Sequence, residues 1–132
     1  MKKIYKTAII VAVLLVVWFS IRFIIGGDED TWIKNETGGY VEHGTPSNAP
    51  DYVIEQQITI SQAMQLFQEK RAEGMNFSSQ CLGTIGNYSV DIVNVPRTGE
   101  DNIPENQCRD FLEGKTKHFI EIDKNGNIVG VV

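Results

Sequence analysis

Residues Thr7 to Ile25 read TAIIVAVLLVVWFSIRFII, and this run constrains the chain more than any other feature. It makes about 28 Å of helix at about 1.5 Å per residue, close to the hydrocarbon thickness of a bilayer. The only charge inside it is Arg22, near the distal end, where a long side chain can reach the interface. Lys2, Lys3 and Lys6 precede the run, and Asp28, Glu29 and Asp30 follow it. The positive-inside bias predicts a cytoplasmic N-terminus and export of everything after Gly26. A cleaved signal peptide is the competing reading. Its apolar core would be shorter, about 7–15 residues, and would end in a small-x-small site. Ile24-Ile25-Gly26-Gly27 fits that poorly, so an uncleaved signal-anchor is expected.

Charge divides at the same place. The first 27 residues carry Lys2, Lys3, Lys6, Arg22 and no acid, and all 17 acidic residues lie beyond them. An acidic exported part argues against nucleic acid, because phosphate binding needs a basic face. The membrane is the one partner read directly from the sequence. The two cysteines, Cys81 and Cys108, both fall in the exported part. In an oxidising compartment they are expected to form a disulfide, with two buried free thiols as the alternative. They lack the paired spacing of a zinc motif.

The organisation follows from pattern breaks. Residues 1–27 form a cytoplasmic stub and anchor, 28–56 a juxtamembrane hairpin and proline-containing linker, and 57–132 an exported α+β domain. In the middle segment, TWI and YVEH read as short strands around NETGG, with Trp32 and Tyr40 able to meet across the pair. Gly44 to Asp51, with Pro46 and Pro50, reads as linker. An isolated hairpin is marginal in water, so it needs support from the domain or from the membrane interface. Trp32, Tyr40 and His43 are its candidate contact residues.

In the exported domain, Thr59 and Gln62 fit a capping box at the start of a helix. Ile60, Ala63, Met64 and Phe67 line its inner face, and Gly74 follows its end. Cys81–Ile85 and Tyr88–Val95 read as strands. Asn102 to Gly114 reads as a short helix carrying Cys108 inward. His118–Ile122 and Asn127–Val132 read as a closing hairpin around a two-residue Asn125-Gly126 turn. The expected architecture is one main helix packed on a small antiparallel sheet.

No catalytic motif stands out. There is no G-x-S-x-G, no H-E-x-x-H, no P-loop and no dinucleotide glycine pattern. No catalytic, cofactor-binding or metal residue is therefore assigned. DKNGN is not a calcium loop, since its glycine comes early and no glutamate follows at the required position. The acidic pairs Glu100-Asp101 and Glu121-Asp123 read as products of an acidic composition.

Two resemblances add to this reading. The residues Asp30, Thr31, Trp32, Ile33, Val41, His43, Gly44, Pro46 and Ser47 resemble a juxtamembrane segment of small single-pass prokaryotic membrane proteins of unknown function. Lys34 stands where that pattern often has Cys, and Tyr40 where it has Trp. That resemblance implies location, not activity. ITISQAMQLF and HFIEIDKNGNIVGV resemble the opening and closing elements of PepSY-like domains, although Cys81 and Cys108 are not part of that pattern. This resemblance implies extracytoplasmic binding, with peptidase inhibition or regulation. The expected function is a non-enzymatic binding or regulatory module whose partner is a protein or peptide at the envelope. The alternatives are an accessory subunit of a membrane complex, or a small envelope hydrolase using surface carboxylates with His118.

Overall fold

The structure, a computed structural model, describes residues 2–25 and 30–132, with side chains from residue 4 to 21 and from residue 30 onward. Helix α1 spans Lys2–Ile25. Its apolar residues occupy every side, and the window Ile4–Ile21 has a mean hydropathy of 2.3 and is buried against nothing. A helix apolar all round needs an apolar surrounding, and this one is long enough to cross a bilayer. The Arg22 side chain lies outside what is described, as does the boundary at Gly26-Gly27.

Strands β1 (Thr31–Lys34) and β2 (Tyr40–His43) form the expected hairpin. Its register sets Trp32 opposite Glu42 and Tyr40 opposite Lys34. The two aromatics are therefore diagonal rather than directly paired. The loop is organised by Asn35, whose Oδ1 accepts from the Thr37 and Gly39 amides at 3.0 Å each. That loop rests on the rest of the fold. The Val131 amide donates to the Thr37 carbonyl at 2.6 Å. Gln56 Oε1 accepts from the Tyr40 amide at 2.8 Å, and Gln56 Nε2 donates to the Gly38 carbonyl at 3.2 Å. Support comes from the domain through these bonds.

Helix α2 spans Asp51–Ala72, so it begins two turns before the expected start. Thr59 is interior, and its hydroxyl donates back to the Glu55 carbonyl at 2.8 Å. The Thr59/Gln62 capping box is therefore not formed. The reason is tertiary. Val53, Gln56, Thr59, Ala63 and Phe67 fall on one buried stripe, and extending the helix back to Pro50 lets Val53 and Gln56 join it. At the other end Gly74 takes φ +83°. The Gly74 amide donates to the Arg71 carbonyl and the Met75 amide to the Lys70 carbonyl, a Schellman closure.

The main sheet has the order β3 (Gln80–Ile85), β4 (Tyr88–Val93), β5 (His118–Asp123), β6 (Ile128–Val131). The outer pairs are antiparallel, but β4 and β5 run parallel. The sheet is thus mixed, which corrects the antiparallel expectation. A parallel return needs a long crossover, and residues 94–117 supply it. That segment holds two 3₁₀ turns, η1 (Gly99–Asn102) and η2 (Pro104–Asn106), and a short helix α3 (Arg109–Leu112). The single short helix expected there is broken at Gln107 and Cys108, both extended.

One sheet face is apolar. Leu82, Tyr88, Val90, Ile92, Ile120, Ile122 and Val131 form a core with Ala63 and Phe67, and Phe77 stacks on Phe67 at 4.4 Å between ring centroids. The closing turn also differs from expectation. Asp123 and Asn127 pair, and only Gly126 has positive φ, +94°. This is a three-residue loop with glycine at the left-handed position, not a two-residue turn. Asp123 accepts from the Asn125 and Asn127 amides at 2.8 Å each. Its carboxylate is thus spent on the turn.

Candidate functional site: the second face of the sheet

Alternation along β4 and β5 sends Val90, Ile92, Ile120 and Ile122 into the core, so Asp91 and Glu121 emerge on the opposite face. The register sets Cys81 beside Asp91, Asp91 beside Glu121, and Glu121 beside Gly130. One row across the sheet therefore holds a sulfur, two carboxylates and a position without a side chain. A Cβ at Gly130 would approach Glu121 Oε2 at 3.2 Å. The β4–β5 crossover covers part of this face and leaves a cavity of about 90 Å³. Asp91, Arg97, Asp101 and Glu121 supply its charged lining, with Phe111 and Phe119 beside them. Those two rings meet edge-on at 5.2 Å.

Arg97, Asp101 and Asp91 are each shifted from the ordinary range by their surroundings. Arg97 reaches Glu121 Oε1 at 2.7 Å, and that bond raises the Arg97 pKa above its ordinary value. Asp101 is 3% exposed. Burial pushes its carboxyl up, but hydrogen bonds from Thr98, Asn94 and Ser79 outweigh this and hold it below the usual range. It also closes a capping box with Thr98, so Asp101 builds the loop. Asp91 differs. Burial, aided by the Glu121 charge, pushes its carboxyl up to about 6, against the Cys108 amide and Arg97, which pull it down. The Cys108 amide donates to Asp91 Oδ1 at 3.1 Å.

Cys81 and Cys108 are joined in a disulfide, with Cα atoms 4.6 Å apart. It ties β3 to the residue that caps α3. Cys81 is exposed, while Cys108 is 1% exposed. The sulfurs and an Asp91 oxygen all lie within 4.8 Å of one another. While the two sulfurs are bonded to each other they are not thiolate ligands for a metal.

The structure disperses the other expected contact residues. Trp32 Nε1 donates to the Asn48 carbonyl at 3.2 Å, which folds the linker over the hairpin. Tyr40 packs edge-on against Tyr52 of α2 at 5.1 Å. His43 is exposed at the end of β2. His118 stacks on Tyr88 at 4.9 Å, and its Nδ1 lies 3.1 Å from the Val132 carbonyl. It is not part of the cavity wall. Nothing in the local sequence singles out Asp91 or Arg97, and Glu121 with Asp123 reads there as a product of the acidic composition. Strand alternation placed Asp91 and Glu121 on one side of their strands. The parallel pairing that makes them neighbours has no local signal.

No family model, no curated protein and no solved structure matches the chain.

Proposed function

We propose that the chain is a single-pass membrane protein with a cytoplasmic N-terminus, and that its extracytoplasmic domain binds a protein or peptide partner. The anchor reading rests on the length of α1, on the lysines in its first turns and on the acids that follow it in the sequence. The binding reading is carried by the cavity on the second sheet face. Carboxylates of Asp91 and Glu121 line it beside the Phe111 and Phe119 rings. A space of about 90 Å³ suits the tip of one lysine or arginine side chain, which would meet Asp91 and share the Glu121 carboxylate with Arg97, while the rings would cover its stem. A regulatory role of the PepSY-like kind accords with this reading. An accessory subunit bound at fixed stoichiometry is the variant that co-purification distinguishes.

The test is site-specific photocrosslinking in intact membranes, with the probe at Phe119 and, as a control, at Glu69 on the exposed side of α2. One partner species captured at Phe119, absent at Glu69 and lost in Glu121→Lys, is expected. No capture, or equal capture at both positions, would remove the binding reading. Protease accessibility of the domain in sealed vesicles checks the orientation separately.

A further inference from the structure

The Cys81–Cys108 bond has an asymmetry that a simple staple does not need. One end is exposed and the other is buried. A carboxylic acid lies within 4.8 Å of both sulfurs. We propose that this disulfide is a reactive site for thiol–disulfide exchange with an incoming dithiol, in which Cys81 is the attacked sulfur, Cys108 the leaving group and Asp91 the proton donor to Cys108. Asp91 also lines the binding cavity, but the exchange needs no protein partner, so its test is separate from that of the binding role above.

The chemistry follows from access and charge. Exchange requires a thiolate to approach the sulfur it attacks, and exposure favours Cys81. As the new bond forms between the incoming sulfur and Cys81 Sγ, the Cys81–Cys108 bond breaks and its electron pair passes to Cys108 Sγ. A thiolate there would be disfavoured, since burial raises thiol pKa. The Gly83 and Val90 carbonyl oxygens also lie 3.4 Å from that sulfur. Those oxygens repel a thiolate but accept a hydrogen bond from a thiol. The buried end is thus built to receive a proton with the electrons, and Asp91, within 4.8 Å of it, is the acid that would pass one, through a bridging water or after a small side-chain rotation. The second thiolate of the dithiol then attacks its own sulfur in the mixed disulfide. Cys81 leaves as a thiolate and is protonated by water. The reagent ends as a disulfide and the protein as a dithiol, with two electrons transferred.

The surroundings of Asp91 keep a fraction of it protonated near neutrality. Burial on β4 and the Glu121 carboxylate from β5 act in that direction, while Arg97 from the crossover and the Cys108 amide oppose it. Asp101 faces the same cavity but is held ionised by its own hydrogen bonds. Asn at position 91 keeps an acceptor for the Cys108 amide but has no proton to give.

The experiment uses the full chain in detergent, with dithiothreitol as the dithiol. Reduction is followed by thiol-labelling mass spectrometry from about pH 5 to about pH 8, and rates are expressed per thiolate. Asp91→Asn is expected to slow reduction at least about tenfold and to flatten the fall in per-thiolate rate that wild type shows as Asp91 ionises. Trapping with glutathione is expected to place the adduct on Cys81, and the reduced protein is expected to keep its circular dichroism spectrum. Equal rates in Asp91→Asn, adducts on Cys108, or loss of fold on reduction would each overturn the proposal. In the last case the bond would be a staple only.

Discussion

One glycine and three aspartates carry the sharpest consequences for single residues. Gly38 sits at φ +87°, and a Cβ there would run into the Val131 carbonyl oxygen. Gly38→Ala thus meets both backbone strain and a collision with an atom that cannot move aside. It should cost about 2 kcal/mol or more in urea unfolding of the solubilised protein. Asp101 and Asp123 have carboxyls held below the ordinary range by hydrogen bonds that outweigh burial. Their contribution is present above the unfolded pKa of about 4 and is lost as pH falls through the folded values. Asp91 has the opposite sign. Its folded pKa of about 6 exceeds the unfolded value, so its burial becomes costly as pH rises between the two. Asp91→Asn should therefore match wild type near about pH 4 and be more stable near about pH 7, by on the order of 1 kcal/mol once the partly open site is discounted. Melting temperatures across pH check both signs.

Element boundaries separate what local sequence encodes from what packing adds. If Thr59 capped a helix, Thr59→Ala would cost about 1 kcal/mol. In the interior of α2, where its hydroxyl bonds back to Glu55, the same change should lie within about 0.5 kcal/mol of neutral, as thermal melts can show. Gln56→Ala should cost more, about 1–3 kcal/mol, because it removes two bonds that dock the hairpin. Much of the element list was legible locally. Alternation at Tyr88, Val90 and Ile92 marked β4, Gly74 marked the end of α2, and the β1–β2 hairpin formed where its turn residues lie. The start of α2 was not legible, because the Thr59/Gln62 pair mimics a cap and the residues before it join the helix only when Gln56 finds the Gly38 loop. The parallel β4–β5 pairing was hidden for a similar reason. It is chosen by the length and path of residues 94–117, not by any strand's own pattern. The carboxylate row at Asp91 and Glu121 inherits that opacity.

For the whole molecule, the disulfide closes a separation of 27 residues, spanning β3, β4 and most of the crossover. Chain entropy sets its contribution at about 3–4 kcal/mol. Cys81→Ser with Cys108→Ser should lower the urea midpoint accordingly, most sharply for probes in the crossover. The hairpin has a different dependence. Its loop is held by the Val131 amide, far along the chain in β6, and a contact between segments so distant in sequence forms late. As the polypeptide emerges from a ribosome, residues 31–43 come out well before the strand that completes them. During that interval Ile33 and Val41, a cross-strand apolar pair still 42% and 39% exposed in the finished fold, have at most the α2 contacts of Gln56 and Tyr52 to steady them. The schedule of synthesis thus gives this short hairpin a period of waiting before its partner strand exists.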